Sequence, residues 1–80
     1  MGIISEKIEG KIIKVVINSS NLKTASYDTE SKTLTITFVN KNIYEYYEVP
    51  WEIFTKFRMA ESQGKYFVAN IKDKYKFKKI

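Results

Sequence analysis

Apolar and polar residues alternate most cleanly from Thr33 to Phe38, where Leu34, Ile36 and Phe38 interleave with Thr33, Thr35 and Thr37. A period of two with β-formers on both faces predicts a strand whose aliphatic side meets the core and whose threonine side is exposed or only partly covered. Asn40-Lys41-Asn42 turns the chain, asparagine tolerating positive φ better than most residues. In the strand that follows, Tyr44 and Tyr46 share one face, and Ile43, Glu45 and Tyr47 share the other. Upstream, the β-branched run Ile12 to Ile17 predicts a strand over Lys11–Ile17. Asn18-Ser19-Ser20-Asn21 predicts a turn, Leu22 to Tyr27 a short strand, and Asp28 to Lys32 a hairpin connection. The first ten residues are ambiguous: Ile4, Ile8 and Ile12 have helical spacing, whereas Gly10 suits a hairpin turn. They are expected to be an N-terminal extension or an extra strand.

After Val49 the period changes. Pro50 suits a first helical position, Glu52 suits the first turn, and Ile53, Phe54, Phe57 and Ala60 form the stripe of a short amphipathic helix. Ser62 is placed to cap a second helix over Lys65–Lys74, with Phe67, Ile71 and Tyr75 inward. The residues from Lys76 onward are expected to fray or to extend a basic surface. Strands followed by helices predict one α+β domain over 11–80, an antiparallel sheet of three to four strands with two short helices packed on one face. Phe38, Phe54, Phe57 and Phe67 read as core by periodicity, and Tyr44 and Tyr46 as core with their hydroxyls at its edge.

The order of these signals resembles the KTSC domain, a family found at the C-terminus of some lysyl-tRNA synthetases and also as free-standing small proteins. The resemblance runs from about Val16 to Tyr75. It is carried by Asn18-Ser19-Ser20, Tyr27-Asp28, Leu34-Thr35-Ile36-Thr37-Phe38, Tyr44-Glu45-Tyr46, Val49-Pro50, Ala60-Glu61-Ser62, Gly64, Tyr66-Phe67 and Ile71. The chain departs from the family pattern at Asn40-Lys41 and Ser26, where glycine is frequent, and at Val68, where asparagine is frequent. The resemblance implies the fold, and RNA binding is an expectation that comes with the family's link to a tRNA enzyme.

Composition narrows the chemistry. Eighty residues allow one compact core and little room for a deep cavity. The chain has no cysteine and no histidine, hence no thiolate nucleophile, no zinc–sulfur site and no imidazole base. With glycine at only Gly2, Gly10 and Gly64 there is no phosphate-cradling glycine loop, and Glu45, Glu48 and Glu52 fall on a strand and a helix start that spread them apart. The expectation is a non-enzyme with no catalytic residue, metal or cofactor. No apolar run is long enough to span a bilayer or to serve as a signal peptide, so the expected location is the cytoplasm.

Charge is the remaining clue. The net +5 lies wholly in Lys65–Ile80, which holds six lysines and one aspartate, while the preceding residues balance. Lysines with interspersed aromatics suit phosphates and stacked bases. The leading expectation is a small nucleic-acid-binding protein, for RNA or single-stranded DNA, using Lys65, Lys72, Lys74, Lys76, Lys78 and Lys79 for phosphate and Tyr47 and Trp51 for stacking. With Arg58 the only arginine, bidentate guanine readout is not expected to dominate. The alternative is a protein-interaction module or a small phage- or plasmid-type inhibitor that binds a host protein through Trp51 and Tyr47. The strand Lys11–Ile17 is also a candidate edge for pairing with a second copy.

Overall fold

The computed structural model describes residues 2–80, with side chains for all of these except Gly2 and Ile4. Met1, where the expected N-terminal extension begins, lies outside the described residues. The chain folds as an antiparallel meander of five strands, then two helices, then a closing strand. These are β1 (Gly2–Glu9), β2 (Ile12–Asn18), β3 (Leu22–Asp28), β4 (Thr33–Phe38), β5 (Ile43–Tyr46), α1 (Trp51–Met59), α2 (Gln63–Asn70) and β6 (Phe77–Lys79). The sheet has six strands in sequential order, so the expectation of three to four is corrected at both ends. The first residues take the strand alternative and pair with β2 from Gly2↔Asn18 to Glu9↔Ile12, with a bulge between Ile3 and Ser5. Gly10, at φ 60°, supplies the left-handed turn between them. Strand β2, expected at an edge, is internal, flanked by β1 and β3; the edges are β1 and β6.

Alternation decides which face is buried. Ile13, Val15, Ile17, Leu22, Ala25, Tyr27, Leu34, Ile36 and Tyr46 project to one side and meet Phe54, Phe57, Phe67 and Ile71 of the helical segment. The threonine face of β4 is half-covered, as the alternation predicts. Two further expectations shift. Helix α2 is Gln63–Asn70 rather than Lys65–Lys74, and Ile71 closes it with its N–H on the Phe67 carbonyl. Pro50 is the N-cap rather than the first helical residue, its carbonyl accepting from Ile53 and Phe54 N–H at 3.0 and 3.2 Å.

Long-range polar contacts hold the helices to the sheet. The buried Tyr27 hydroxyl donates to the Val49 carbonyl at 2.6 Å, while Val49 N–H donates to the Lys32 carbonyl at 2.9 Å. Burial raises the Tyr27 pKa, because the phenolate would lose its solvation there. Gln63 is buried, and its Nε2 donates to the carbonyls of Phe57, Arg58 and Ala60 at 3.3, 3.2 and 2.8 Å. It thereby satisfies the carbonyls that the end of α1 leaves open. Ser62 caps α2, its hydroxyl accepting from Lys65 N–H at 3.4 Å. A Cβ on Gly64 would lie 3.2 Å from Ser19 Oγ, a tight contact, so the absence of a side chain at position 64 eases the approach of α2 to the Asn18–Asn21 turn. Ser19 Oγ is held there by N–H groups of Asn21 and Leu22 at 3.2 and 3.3 Å.

Candidate nucleic-acid interface

The core face is not covered to its far edge. Helix α2 sets Phe67 against Phe38 of β4 and Tyr46 of β5, and beyond it β4, β5 and β6 form one wall of a groove of about 440 Å³. Its floor is aromatic. Tyr46 meets Phe67 edge-on at 5.4 Å and Phe77 at 5.6 Å between ring centroids. Tyr44 lies 6.5 Å from Tyr46, 5.7 Å from Phe77 and 5.6 Å from Phe38. Phe38 in turn meets Phe67 at 5.6 Å. Tyr46 is buried and Tyr44 half-buried, while Phe77 keeps 53% of its surface in solvent. Val39 and Val68, both exposed, also line this groove.

The positions of these rings follow from register. Tyr44 and Tyr46 face the groove because alternation sends them there, and β6 pairs Tyr46 with Phe77 and Tyr44 with Lys79. One end is the β4–β5 turn. Asn40 Oδ1 accepts from Asn42 N–H at 3.0 Å, and Lys41 rather than an asparagine takes the left-handed conformation, φ 74°. Asn21, Asn40 and Asn42 line this end of the groove, and Lys72 and Asp73 also line it. Burial, with the charges of Tyr44 and Asp73 adding to it, pushes the Tyr46 hydroxyl up to about 12.

The expected site residues are divided by this geometry. Lys72 lines the groove, and Lys79 sits beside Tyr44 on the groove side of β6. Lys65 lies next door, in a hollow between the Asn18–Asn21 turn and α2 that shares Gly64 with the groove. Lys74 is exposed in the turn after α2. Lys78 lies across from Glu45 on the opposite, uncovered face, and the Lys76 carbonyl accepts from Tyr47 N–H at 2.9 Å. The expected stacking pair is separated too. The Tyr47 hydroxyl donates to Glu45 on the uncovered face at 3.0 Å, whereas Trp51 packs beside Tyr27, Phe54 and Arg58 at the start of α1. Neither lines the groove.

What sequence reasoning missed is the tail. Tyr75-Lys76-Phe77-Lys78 alternates apolar and polar with period two, the signal that predicted β4, but the density of lysine made it read as a solvated end. Phe77 is the residue that turns two edge tyrosines into a walled groove.

Comparison with known proteins agrees with this architecture. The model of the KTSC domain family matches residues 18–75. A lysine–tRNA ligase of Nostoc punctiforme is 38% identical over 61 residues, 76% of this chain and 11% of the ligase. The chain therefore spans about a tenth of the length of that relative. A protein of Tsukamurella paurometabola is 33% identical over 60 residues, 75% of this chain and 90% of that protein. The crystal structure of a KTSC domain protein from Yersinia pestis superposes with a TM-score of 0.82 at 30% identity, covering 86% of this chain and 97% of that one. The family model spans most of the chain and the superposition agrees with the fold, and the chain belongs to the KTSC domain family.

Proposed function

We propose that this KTSC domain binds single-stranded nucleic acid, RNA ahead of DNA, and carries out no chemistry of its own. The observation that carries the reading is the aromatic groove: Tyr44 and Phe77 offer stacking surface over the buried Tyr46, and Lys72 and Lys79 place charge beside it. A volume of about 440 Å³ suits one or two unpaired nucleotides. A duplex is read by a helix or β-ribbon set into its groove, and nothing at this rim projects in that way. The preference for RNA is supported by relatives that are lysine–tRNA ligases, whose substrate is an RNA. Lys65, on the adjacent hollow, extends the phosphate track; Lys74, Lys76 and Lys78 raise the potential around it without lining the groove.

The test is fluorescence anisotropy with labelled single-stranded RNA, single-stranded DNA and duplex DNA at two salt concentrations. The expected result is micromolar binding of the single strands, weakening steeply with salt, with little duplex binding. Because Trp51 lies outside the groove, its emission should stay nearly constant. Failure of all three to bind at low salt would remove the reading. A second reading, a module or small phage-type inhibitor that binds a protein, draws on the exposed Val39, Val68 and Phe77 around the same groove. Salt-insensitive capture of a single protein, with no nucleic-acid binding, would favour it. A homodimer, if one forms through the sheet, would use β1 or β6, the strands with an open edge.

A further inference from the structure

The basic tail contains one acid, and that acid lines the aromatic groove. Asp73 follows Lys72 in the turn after α2, and both border the floor of Tyr44, Tyr46 and Phe77. Among the described residues Asp73 takes part in no ion pair; those that form are Lys7–Glu9, Lys11–Glu30, Lys14–Glu9 and Arg58–Glu6. A carboxylate left unpaired among six lysines weakens phosphate binding wherever it stands, so its place in a phosphate-binding groove calls for a positive role. Asp73 is near enough to Tyr46 for its charge to add to the rise in that hydroxyl's pKa, behind burial and Tyr44.

An ionised carboxylate is an acceptor only. Of the three parts of a nucleotide, the phosphate repels it and a stacked base presents its face to the rings, leaving its edge toward the Asn40–Asn42 end. The sugar remains. Its 2′-hydroxyl is a donor present in RNA and absent from DNA. Hydrogen bonding of ribose hydroxyls by a carboxylate next to a phosphate site is a general solution to nucleotide recognition.

We propose that Asp73 is the residue by which the groove distinguishes RNA from DNA, accepting a hydrogen bond from the 2′-hydroxyl of a nucleotide stacked on Tyr44 and Phe77. This rests on the nucleic-acid reading above. With DNA the same carboxylate faces no donor, while its repulsion of the neighbouring phosphate is common to both strands, so the discrimination rests on the hydrogen bond.

The test compares labelled oligouridine and oligodeoxyuridine of equal length, which differ only in the 2′-hydroxyl, on the wild-type chain and on Asp73→Ala and Asp73→Leu. Asp73 is exposed, so both variants should melt like wild type. The wild type should bind the ribo strand about tenfold more tightly, the discrimination that one charge-assisted hydrogen bond supplies. In both variants the ratio should fall to near one, because only the ribo strand loses a hydrogen bond. If wild type binds both strands equally, or if the ratio survives removal of the carboxylate, the inference is overturned while the nucleic-acid reading stands. If neither strand binds, both fall together.

Discussion

The molecule contains two aromatic clusters, each with cations beside it, and they are built to opposite ends. At the start of α1, Tyr27 stacks on Phe54 at 4.4 Å, and Arg58 lies 4.9 Å over Phe54 and 5.2 Å over Trp51. That guanidinium is engaged a second time, by Glu6 of β1 at 2.9 Å, and only 16% of its side chain remains exposed. Stacking, cation–π contact and ion pair tie these side chains to one another, although Arg58 Nε has no hydrogen-bond partner. At the other end Tyr44, Tyr46 and Phe77 surround a groove, and the cations beside it belong to lysines outside every ion pair of the described residues. The two clusters draw on similar residues. Burial and mutual contact make one of them structure and leave the other available for binding.

The contrast is broken most directly at Phe54. Phe54→Ala should cost about 3–5 kcal/mol in urea unfolding, since a fully buried ring that supports both Tyr27 and Arg58 is removed. Loss of less than about 1 kcal/mol would mean that the closed cluster is not what holds α1 to the sheet.

Titration probes the floor of the open cluster. The Tyr46 hydroxyl has its folded pKa raised to about 12 from the ordinary tyrosine value of 10.0, so the folded state holds its proton longer than the unfolded state. Its contribution is complete below pH 10 and is lost as pH rises from 10 towards 12, on the order of 2 kcal/mol by linkage. Unfolding curves at the two ends of that range should therefore separate more for wild type than for Tyr46→Phe. Lysine deprotonation is common to both chains and cancels in the comparison.

Gln63 comes next. Gln63→Ala removes the side-chain donor shared by the Phe57, Arg58 and Ala60 carbonyls at the end of α1 and should cost about 1–3 kcal/mol by thermal or urea unfolding. Phe77→Ala sharpens the comparison from the binding side. It should weaken single-strand binding about tenfold, in keeping with roughly 1–3 kcal/mol per stacked base, and alter stability little because the ring is half-exposed. Trp51→Ala should do the reverse, lowering stability and sparing affinity; equal affinity losses in both would move the interface away from the groove. The smallest effect is expected at Lys41, whose φ of 74° favours glycine. Lys41→Gly should raise stability by about 0.5–1 kcal/mol and leave binding intact.

Much of this architecture was legible in the residues alone. Strand β4 could be read because its alternation is strict, and helix α1 because Phe54 and Phe57 recur at helical spacing. These are local periodicities that the chain carries whatever surrounds it. The family could be read for a related reason. Tyr27, Val49, Ser19 and Gly64 are separate in sequence, but their spacing reflects contacts now visible as the Tyr27–Val49 hydrogen bond and the close approach of Gly64 to Ser19.

The candidate site was only partly legible. Its lysines stood out as an excess of charge in the tail, yet charge is a property of composition and says nothing of which face a side chain occupies. Lys78 and Lys79 are adjacent and lie on opposite faces because β6 is a strand. That strand has three residues and little preference of its own. It exists because β5 presents an unpaired edge, to which Tyr47 N–H and Ile80 N–H bind through the carbonyls of Lys76 and Ile43. Sequence alone determined the β2–β5 part of the antiparallel meander through its hydrophobic period and the family through its spaced motifs. Tertiary structure alone decided that the tail returns to the sheet, that Phe77 meets Tyr44 and Tyr46, and that Arg58 pairs with Glu6. Each of these joins residues far apart in the chain, and such contacts have free energy only once the rest of the fold has brought them together.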